Sequence, residues 1–245
     1  MKNGKYKLFL ENGEEVLTYD DLILEKDLLL TKEIDFDDLK MLSLETHYYE
    51  VYYKMVQKIS TKLRSEKEIR NLLEKEDLIQ KEKEKVVEKL KRSGLLDEER
   101  FKKAFVSDHV HLGMDGPYYI IKQLKEHDIE ASLDTSFTEE QWQTFDEKMK
   151  NYIEKKIRAN AKYSKYVLKQ KIVEALTNKG FERNRIIEIF DSYTVDFTSA
   201  IQKEYQKIYT KLSKKYEGKE LDYKTKQKLL SKGFKMDEIE SMNVE

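Results

Sequence analysis

Two short stretches of the sequence decide the fold: Leu176-Thr-Asn-Lys-Gly-Phe181 and Leu229-Leu-Ser-Lys-Gly-Phe234, which share a pattern and lie 53 residues apart. Leu124-Lys-Glu-His-Asp-Ile129 and Leu73-Glu-Lys-Glu-Asp-Leu78 supply the same frame 52 and 51 residues earlier. Internal repetition at such a period is typical of helical-repeat proteins. The sequence therefore predicts four repeats of about 52 residues each.

Each of these frames predicts the end of a helix. Gly180 and Gly233 stand where the chain leaves the helix with a positive φ, a conformation that glycine adopts without steric cost. Asp128 and Asp77 stand at the matching positions, and aspartate tolerates the left-handed region better than most residues. We expect all four positions to be left-handed, and the apolar residue after each to pack back onto the helix.

The composition favours long helices with short connections. The chain of 245 residues contains one proline and eight glycines, and 39% of its residues are charged. Three helices fit into each repeat, and one repeat alone cannot bury its whole apolar face. We therefore predict an all-α fold of tandem three-helix repeats, stacked into an elongated, curved solenoid.

The first residues read differently and predict a small head that contains a β-hairpin. Tyr6 and Leu8 alternate with lysines, Asn12-Gly13 is a turn signal, and Val16 begins the returning strand. Short helices are expected over 19–29 and 35–44, and the head should pack against the first long helix. The predicted domains are the head at 1–43 and repeats at 44–93, 94–137, 138–194 and 195–245.

Acidic and basic residues alternate in blocks along the chain, although the net charge is only −1. The block 148–185 has 12 lysines and arginines against 3 acidic residues. Such blocks suit docking on a patterned partner or contact with phosphate, but they also occur on solvated helix faces. The sequence has no apolar run long enough to span a bilayer and no signal peptide at its start, so we expect a cytoplasmic protein without membrane contact.

The sequence lacks the residue patterns of an enzyme or a metal protein. There is no cysteine, and no phosphate-binding loop or acid–base constellation. His109 and His111 are two residues apart, which on a helix points them in different directions. We therefore predict no catalytic residue, no metal and no cofactor. Trp142 is expected to pack in the core, with a partner-facing anchor as the alternative.

Two basic clusters are the candidates for binding. The cluster in the third repeat is interleaved with Tyr152, Tyr163 and Tyr166, so it could contact phosphates and stack on bases, although Tyr152 and Tyr166 stand at positions that favour the core. Contact with an acidic protein surface and simple solvation are the other interpretations. The candidate residues are Arg64, Lys67, Arg70, Lys91 and Arg92 in the first repeat, and Lys155, Lys156, Arg158, Lys162, Lys165 and Lys169 in the third.

The order and spacing of several motifs resemble the RecX family. Ser65-Glu-Lys-Glu-Ile-Arg70 is followed by Gly94-Leu-Leu-Asp-Glu-Glu-Arg-Phe101, and then by Gly116-Pro117 with apolar residues behind it. The first two repeats lack the usual Lys-Gly turn, and we expect the helix near 131–136 to be short or distorted. The residues that carry the family motifs, with structural roles, are Gly94, Leu95, Leu96, Asp97, Arg100, Phe101, Gly116, Pro117, Gly180, Phe181, Gly233 and Phe234. Arg100 is expected to pair with Asp97 or with a neighbouring glutamate at the start of its helix.

The resemblance, which is to the longer Gram-positive members with four repeats, implies a regulatory function. Members of this family bind RecA filaments on single-stranded DNA and oppose ATP hydrolysis, filament growth and strand exchange. The resemblance therefore implies a monomeric regulator of RecA in homologous recombination, DNA repair and the SOS response. Direct DNA contact, as a sequence-independent single-strand binder that acts by competition, is the alternative.

Overall fold

The computed structural model describes residues 4–28, 34–160, 162–194 and 197–241. Its contacts divide the chain into two compact units. Unit 1 consists of Met1–Ala104 with Glu126–Ile129, and unit 2 consists of Phe105–Lys125 with Glu130–Glu245.

Unit 1 begins with the predicted hairpin. Strands β1 (Lys5–Phe9) and β2 (Glu15–Tyr19) are antiparallel, with Leu8 opposite Val16. Gly13 has a φ of 84°, as a tight turn requires. A short helix, α1 (Asp20–Glu25), follows directly, within the range 19–29 predicted from the sequence. The last residue of that range lies outside the described residues, as do residues 30–33.

Helix α2 (Phe36–Thr61) is longer than the sequence predicted. Asp35 begins it by accepting a hydrogen bond from the amide of Asp38 at 2.7 Å. The expected short helix over 35–44 is wrong, because buried Leu42 and Thr46 continue on one face into the following turns. The helix therefore crosses the predicted limit between residues 43 and 44, and the domain limits stay a prediction.

The head packs on α2, as expected, instead of forming a core of its own. Buried Tyr19 and Leu22 belong to the same apolar cluster as Tyr52 and Met55 of α2. The rings of Tyr19 and Tyr53 stack with centroids 4.7 Å apart. Because the hairpin has only two strands, this shared core is what stabilises it.

The remaining helices follow in groups that match the predicted three per repeat over the described ranges. The third helix of the second repeat is only four residues long, as expected from its sequence. None of the described helices is long and apolar enough to cross a membrane. The bounds are α3 (Glu66–Leu73), α4 (Gln80–Arg92), α5 (Glu98–Leu112), α6 (Pro117–Glu126), α7 (Leu133–Ser136), α8 (Glu139–Arg158), α9 (Lys165–Thr177), α10 (Arg183–Asp191), α11 (Thr198–Leu212), α12 (Gly218–Ser231) and α13 (Met236–Glu240).

The left-handed glycines end their helices as predicted. The amide of Phe181 donates to the carbonyl of Leu176 at 3.1 Å, and Gly180 donates to Thr177 at 2.9 Å. This pair of bonds defines a Schellman ending, and the φ of Gly180 is 85°. At the end of α12, the amide of Phe234 likewise donates to the carbonyl of Leu229, five residues earlier, at 3.3 Å. The Lys-Gly-Phe pattern therefore encodes the same helix end in the third and fourth repeats.

These helix ends also form joints with the central helix of the preceding repeat. In unit 2, the amide of Gly116 donates to the carbonyl of Lys179 at 2.6 Å, and the amide of Tyr118 donates to that of Gly180 at 3.0 Å. The first amides and last carbonyls of helices have no partner within their own helix. Here the free amides at the start of α6 donate to the free carbonyls at the end of α9, so both helix ends have hydrogen-bond partners.

A similar joint occurs twice more, with side chains taking part. In unit 1, the hydroxyl of Ser65 lies 2.9 Å from Nδ1 of His127, and Lys67 contacts Asp128 at 2.9 Å. In unit 2, the hydroxyl of Ser164 donates to the carbonyl of Lys232 at 3.4 Å. The left-handed residues thus lie at junctions between repeats.

The prediction of a left-handed Asp77 is wrong. Among the described residues other than glycine, positive φ occurs at Asp27 and Asp128, with values of 51° and 60°. The head precedes α3, so the end of α3 has no central helix of an earlier repeat to meet. Instead, the carbonyl of Asp77 lies 2.9 Å from Nε2 of His47 on α2.

Candidate functional site

The basic cluster of the first repeat is ion-paired within unit 1. The Arg70 guanidinium contacts Glu66 at 2.8 Å and Glu84 at 2.6 Å. Lys91 contacts the same Glu66 at 2.5 Å. Burial acts to raise the pKa of the Glu66 carboxyl, but hydrogen bonds from Lys91 and Arg70 outweigh it and lower that pKa. These two cations are already neutralised by their own chain.

The other candidates of this cluster also have acidic partners. Arg64 contacts Glu68 at 3.2 Å, and only 25% of the Arg64 side chain is exposed. Lys67 is engaged in the joint with Asp128. Arg92 contacts Glu88 at 3.3 Å but remains largely exposed, so it is the most accessible cation of the set. Unit 1 therefore presents few free positive charges in this region.

The basic cluster of the third repeat differs. Its exposed members in the last turn of α8, the following loop and the first turn of α9 have no ion-pair partner among the residues that the structure describes. Arg158 and Lys169 are the exceptions, since they contact Glu154 at 2.6 Å and Asp191 at 2.7 Å. The cations without such a partner are Lys155, Lys156, Lys162 and Lys165.

Tyrosine rings lie beneath several of these lysines. The ammonium of Lys162 lies 4.9 Å from the centre of the Tyr163 ring, and that of Lys171 lies 5.1 Å from it. Lys156 is 5.3 Å from the centre of the Tyr152 ring. A hydrogen bond from Lys162 lowers the pKa of the Tyr163 hydroxyl. Two cations thus lie close to the ring of Tyr163.

A loop residue that the sequence did not single out positions Tyr163. The Asn160 side chain accepts a hydrogen bond from the amide of Tyr163 at 2.9 Å and donates one to its carbonyl at 2.7 Å. An asparagine three residues before the tyrosine, in a short connection between helices, is the signal that could have found it. Tyr166, expected in the core, is 60% exposed because it lies on the outer face of the first turn of α9.

We call this region the lysine–tyrosine surface and define it by Lys155, Lys156, Lys162, Lys165 and Lys171 with Tyr152, Tyr163 and Tyr166. Free ammonium groups can bind phosphate or carboxylate oxygens, and exposed tyrosine rings can stack on unpaired bases.

The residues of the Gly94-to-Phe101 motif build the turn between α4 and α5. Gly94 has a φ of 68°, and the amides of Leu95 and Leu96 both donate to the carbonyl of Leu90, at 3.0 and 3.1 Å. Asp97 accepts from the backbone amide of Arg100 at 3.0 Å and so begins α5. Asp97 and Arg100 thus interact as expected, but through the backbone amide of Arg100. The reason is that Asp97 caps the helix, which directs its carboxylate to that amide.

Phe101 and the histidines also have structural contacts. Phe101 is buried, with its ring centre 5.2 Å from that of His127 in the joint of unit 1. His109 lies 2.7 Å from the Asp115 carboxylate, and His111 lies two residues further along the same helix. Within the described ranges there is no group of three histidine, aspartate or glutamate side chains that could hold a metal ion.

Trp142 packs only partly in the core. Its ring lies 5.4 Å from that of Phe137 and 5.7 Å from that of Phe145, both of which are buried. Its other side lines a cavity in unit 2. The expected core packing is therefore present on one side of the ring.

Known proteins are similar to this chain along most of its length. No family model matches it. Regulatory proteins RecX from Staphylococcus aureus strains JH9 and Newman are each 27% identical over 246 residues, which cover 97% of this chain and 89% of the relative. A crystal structure of a regulatory protein RecX covers 78% of this chain and 97% of its own, with 22% identity and a TM-score of 0.64.

A second crystal structure, of RecX from Lactobacillus salivarius, covers 59% of this chain and 95% of its own, with 21% identity and a TM-score of 0.52. The two structures share the helical fold with this chain, and the curated relatives cover more of its length. In sequence over most of its length, and in fold, this chain is therefore similar to regulatory proteins RecX.

Proposed function

We propose that this chain is a regulatory protein that binds RecA filaments on single-stranded DNA and lowers RecA ATP hydrolysis, filament growth and strand exchange. The observation that carries the proposal is the similarity to regulatory proteins RecX over 97% of the chain. The chain would act as a cytoplasmic monomer without catalysis of its own, in the control of recombination, DNA repair and the SOS response.

The lysine–tyrosine surface supports this proposal because a filament offers both of the chemistries that such a surface binds. Single-stranded DNA supplies phosphates and unpaired bases, and a protein polymer can supply carboxylates. The surface has free lysines, whereas the cations of the first repeat are paired with glutamates. We therefore assign the contact with the filament to the third repeat in preference to the first.

A second candidate is a sequence-independent single-strand binder that affects RecA by competition for DNA. The exposed ring of Tyr166 beside the free lysines favours it, since a base could stack on this ring while its phosphates meet the ammonium groups. The two functions differ in what binding requires. Competition needs only the strand, whereas filament control needs RecA and nucleotide as well.

The test is a titration of RecA ATPase on single-stranded DNA with this chain, beside its binding to the same strand alone. We expect inhibition at concentrations well below that of RecA, together with weak binding to the bare strand. Inhibition that appears only when the chain saturates the strand would favour competition. Full ATPase activity at equimolar protein would contradict both.

A further inference from the structure

A cavity of about 290 Å³ opens in unit 2 among α6, α8 and α10. Trp142, Phe145 and Phe181 form its aromatic wall, and Leu133 and Met149 complete the apolar lining. At this volume it is slightly below the range of sites for drug-sized ligands. It is large enough for one aliphatic or aromatic side chain.

The wall of this cavity consists of aromatic side chains that pack on one another. The ring of Phe145 contacts Trp142 at 5.7 Å and Phe181 at 6.2 Å, with both pairs edge to face. Phe181 is fixed by the Schellman ending of α9. Tyr118, which also lines the cavity, is 50% exposed. A tryptophan and a tyrosine beside an open apolar cavity are typical of the anchoring points of protein interfaces.

The rim of the cavity is acidic. Glu139 and Glu182 are exposed, and neither has an ion-pair partner within the described part of the chain. The one cation of the lining, Arg185, is held by Asp146 and by Glu188, the latter at 2.8 Å. The free charges at the rim are therefore the two glutamates, which favour a partner with positive charge beside its apolar group.

We propose that this cavity is a docking site for a protein segment that presents an aliphatic or aromatic side chain next to a lysine or arginine. The proposal rests on the proposed function, because the partner is a RecA protomer of the filament. In this proposal the cavity binds the RecA protein, and the lysine–tyrosine surface binds the single-stranded DNA of the filament.

The experiment compares variants of the full chain in binding to RecA filaments on single-stranded DNA. The double variant E139K/E182K reverses the rim charge, and we expect it to weaken filament affinity about tenfold or more. Its matched control, E140K/E220K, makes the same charge change at exposed first-turn glutamates outside the cavity and should bind within about twofold of the wild type. Circular dichroism checks that both variants are folded.

The apolar wall is tested with the pair Y118S and Y223S. Tyr223 is 59% exposed on α12 and lies outside the cavity, so Y223S controls for the loss of an exposed tyrosine. We expect Y118S to weaken filament binding about tenfold and Y223S to have no effect.

The outcomes separate this inference from the proposed function. Wild-type chain that fails to bind the filament overturns the proposed function. Wild-type binding with E139K/E182K and Y118S no weaker than their controls overturns the docking site alone. Unchanged binding of both cavity variants to bare single-stranded DNA, with weaker binding to the filament, supports a protein occupant.

Discussion

The basic clusters of the first and third repeats look equivalent in sequence, but they differ in what surrounds them. In unit 1, Arg70 and Lys91 lie against Glu66 at 2.8 and 2.5 Å. In unit 2, Lys156 and Lys162 lie over tyrosine rings at 5.3 and 4.9 Å. The difference follows from glutamates on the same helix and on the neighbouring helix of the first repeat, whereas acidic residues are scarce in the third. We therefore expect local ion pairing, more than the number of cations, to decide which surface binds a partner.

The two units also differ in how their repeats meet. In unit 1 the joint is made by the side chains of Ser65, His127, Lys67 and Asp128. In unit 2 the joint between α6 and α9 is made by backbone, and Gly116 and Gly180 approach so closely that a Cβ on either glycine would overlap the facing helix end. The joint of unit 2 should therefore tolerate substitution least.

The largest expected effect is on the stability of the joint in unit 2. Gly180→Ala places a methyl group against the backbone of Tyr119 at a φ of 85°. Left-handed strain and overpacking together should lower the free energy of unfolding by about 3 kcal/mol. Urea denaturation followed by circular dichroism measures it.

Gly94→Ala is the control. Gly94 has a φ of 68°, but a Cβ there would meet no atom within 4 Å. Only the backbone strain remains, so the loss should be about 1 kcal/mol. Equal losses for the two variants would contradict the role of Gly180 in a close joint.

A smaller effect is expected from tyrosine ionisation, which again separates the units. Burial, with a contribution from Glu25, raises the pKa of Tyr48 to about 12 from an ordinary value of 10. A tyrosine whose pKa is raised on folding stabilises the fold fully below pH 10, and this contribution is lost as the pH rises toward 12. The free energy of unfolding should therefore fall when the pH is raised above 10.

The measurement is urea denaturation of the wild type and Tyr48→Phe at neutral and alkaline pH, with absorbance to follow the tyrosines. Tyr48→Phe should reduce the alkaline loss of stability. Tyr163→Phe should instead remove a tyrosine that ionises early, because Lys162 lowers its pKa. If Tyr48→Phe loses as much free energy of unfolding at alkaline pH as the wild type, the loss comes from groups other than Tyr48.

The repeat pattern predicted the helix ends well because each depends on a few adjacent residues. Gly180, Gly233 and Asp128 are left-handed as expected. Asp77 is not, because its conformation depends on whether another repeat precedes it, which a local pattern does not contain. The length of α2 was missed for a similar reason, since its first turns pack partly on the head.

The candidate site was predicted only as a set of cations. Sequence alone did not show that Arg70 lies between two glutamates, because Glu84 comes from the next helix. The position of Lys171 above Tyr163 likewise depends on the loop that Asn160 holds. The cavity beside Trp142 combines residues from four helices, so no single segment of the sequence could indicate it.

The most direct test of the central claim compares filament binding by two triple variants at several salt concentrations. K155Q/K156Q/K162Q removes free lysines of unit 2, and R70Q/K91Q/R92Q removes cations of unit 1. We predict that the first variant binds RecA filaments about tenfold more weakly, with a shallower salt dependence, and that the second stays within about twofold of the wild type. Weaker binding by the unit 1 variant than by the unit 2 variant would contradict the assignment of the interface to the lysine–tyrosine surface.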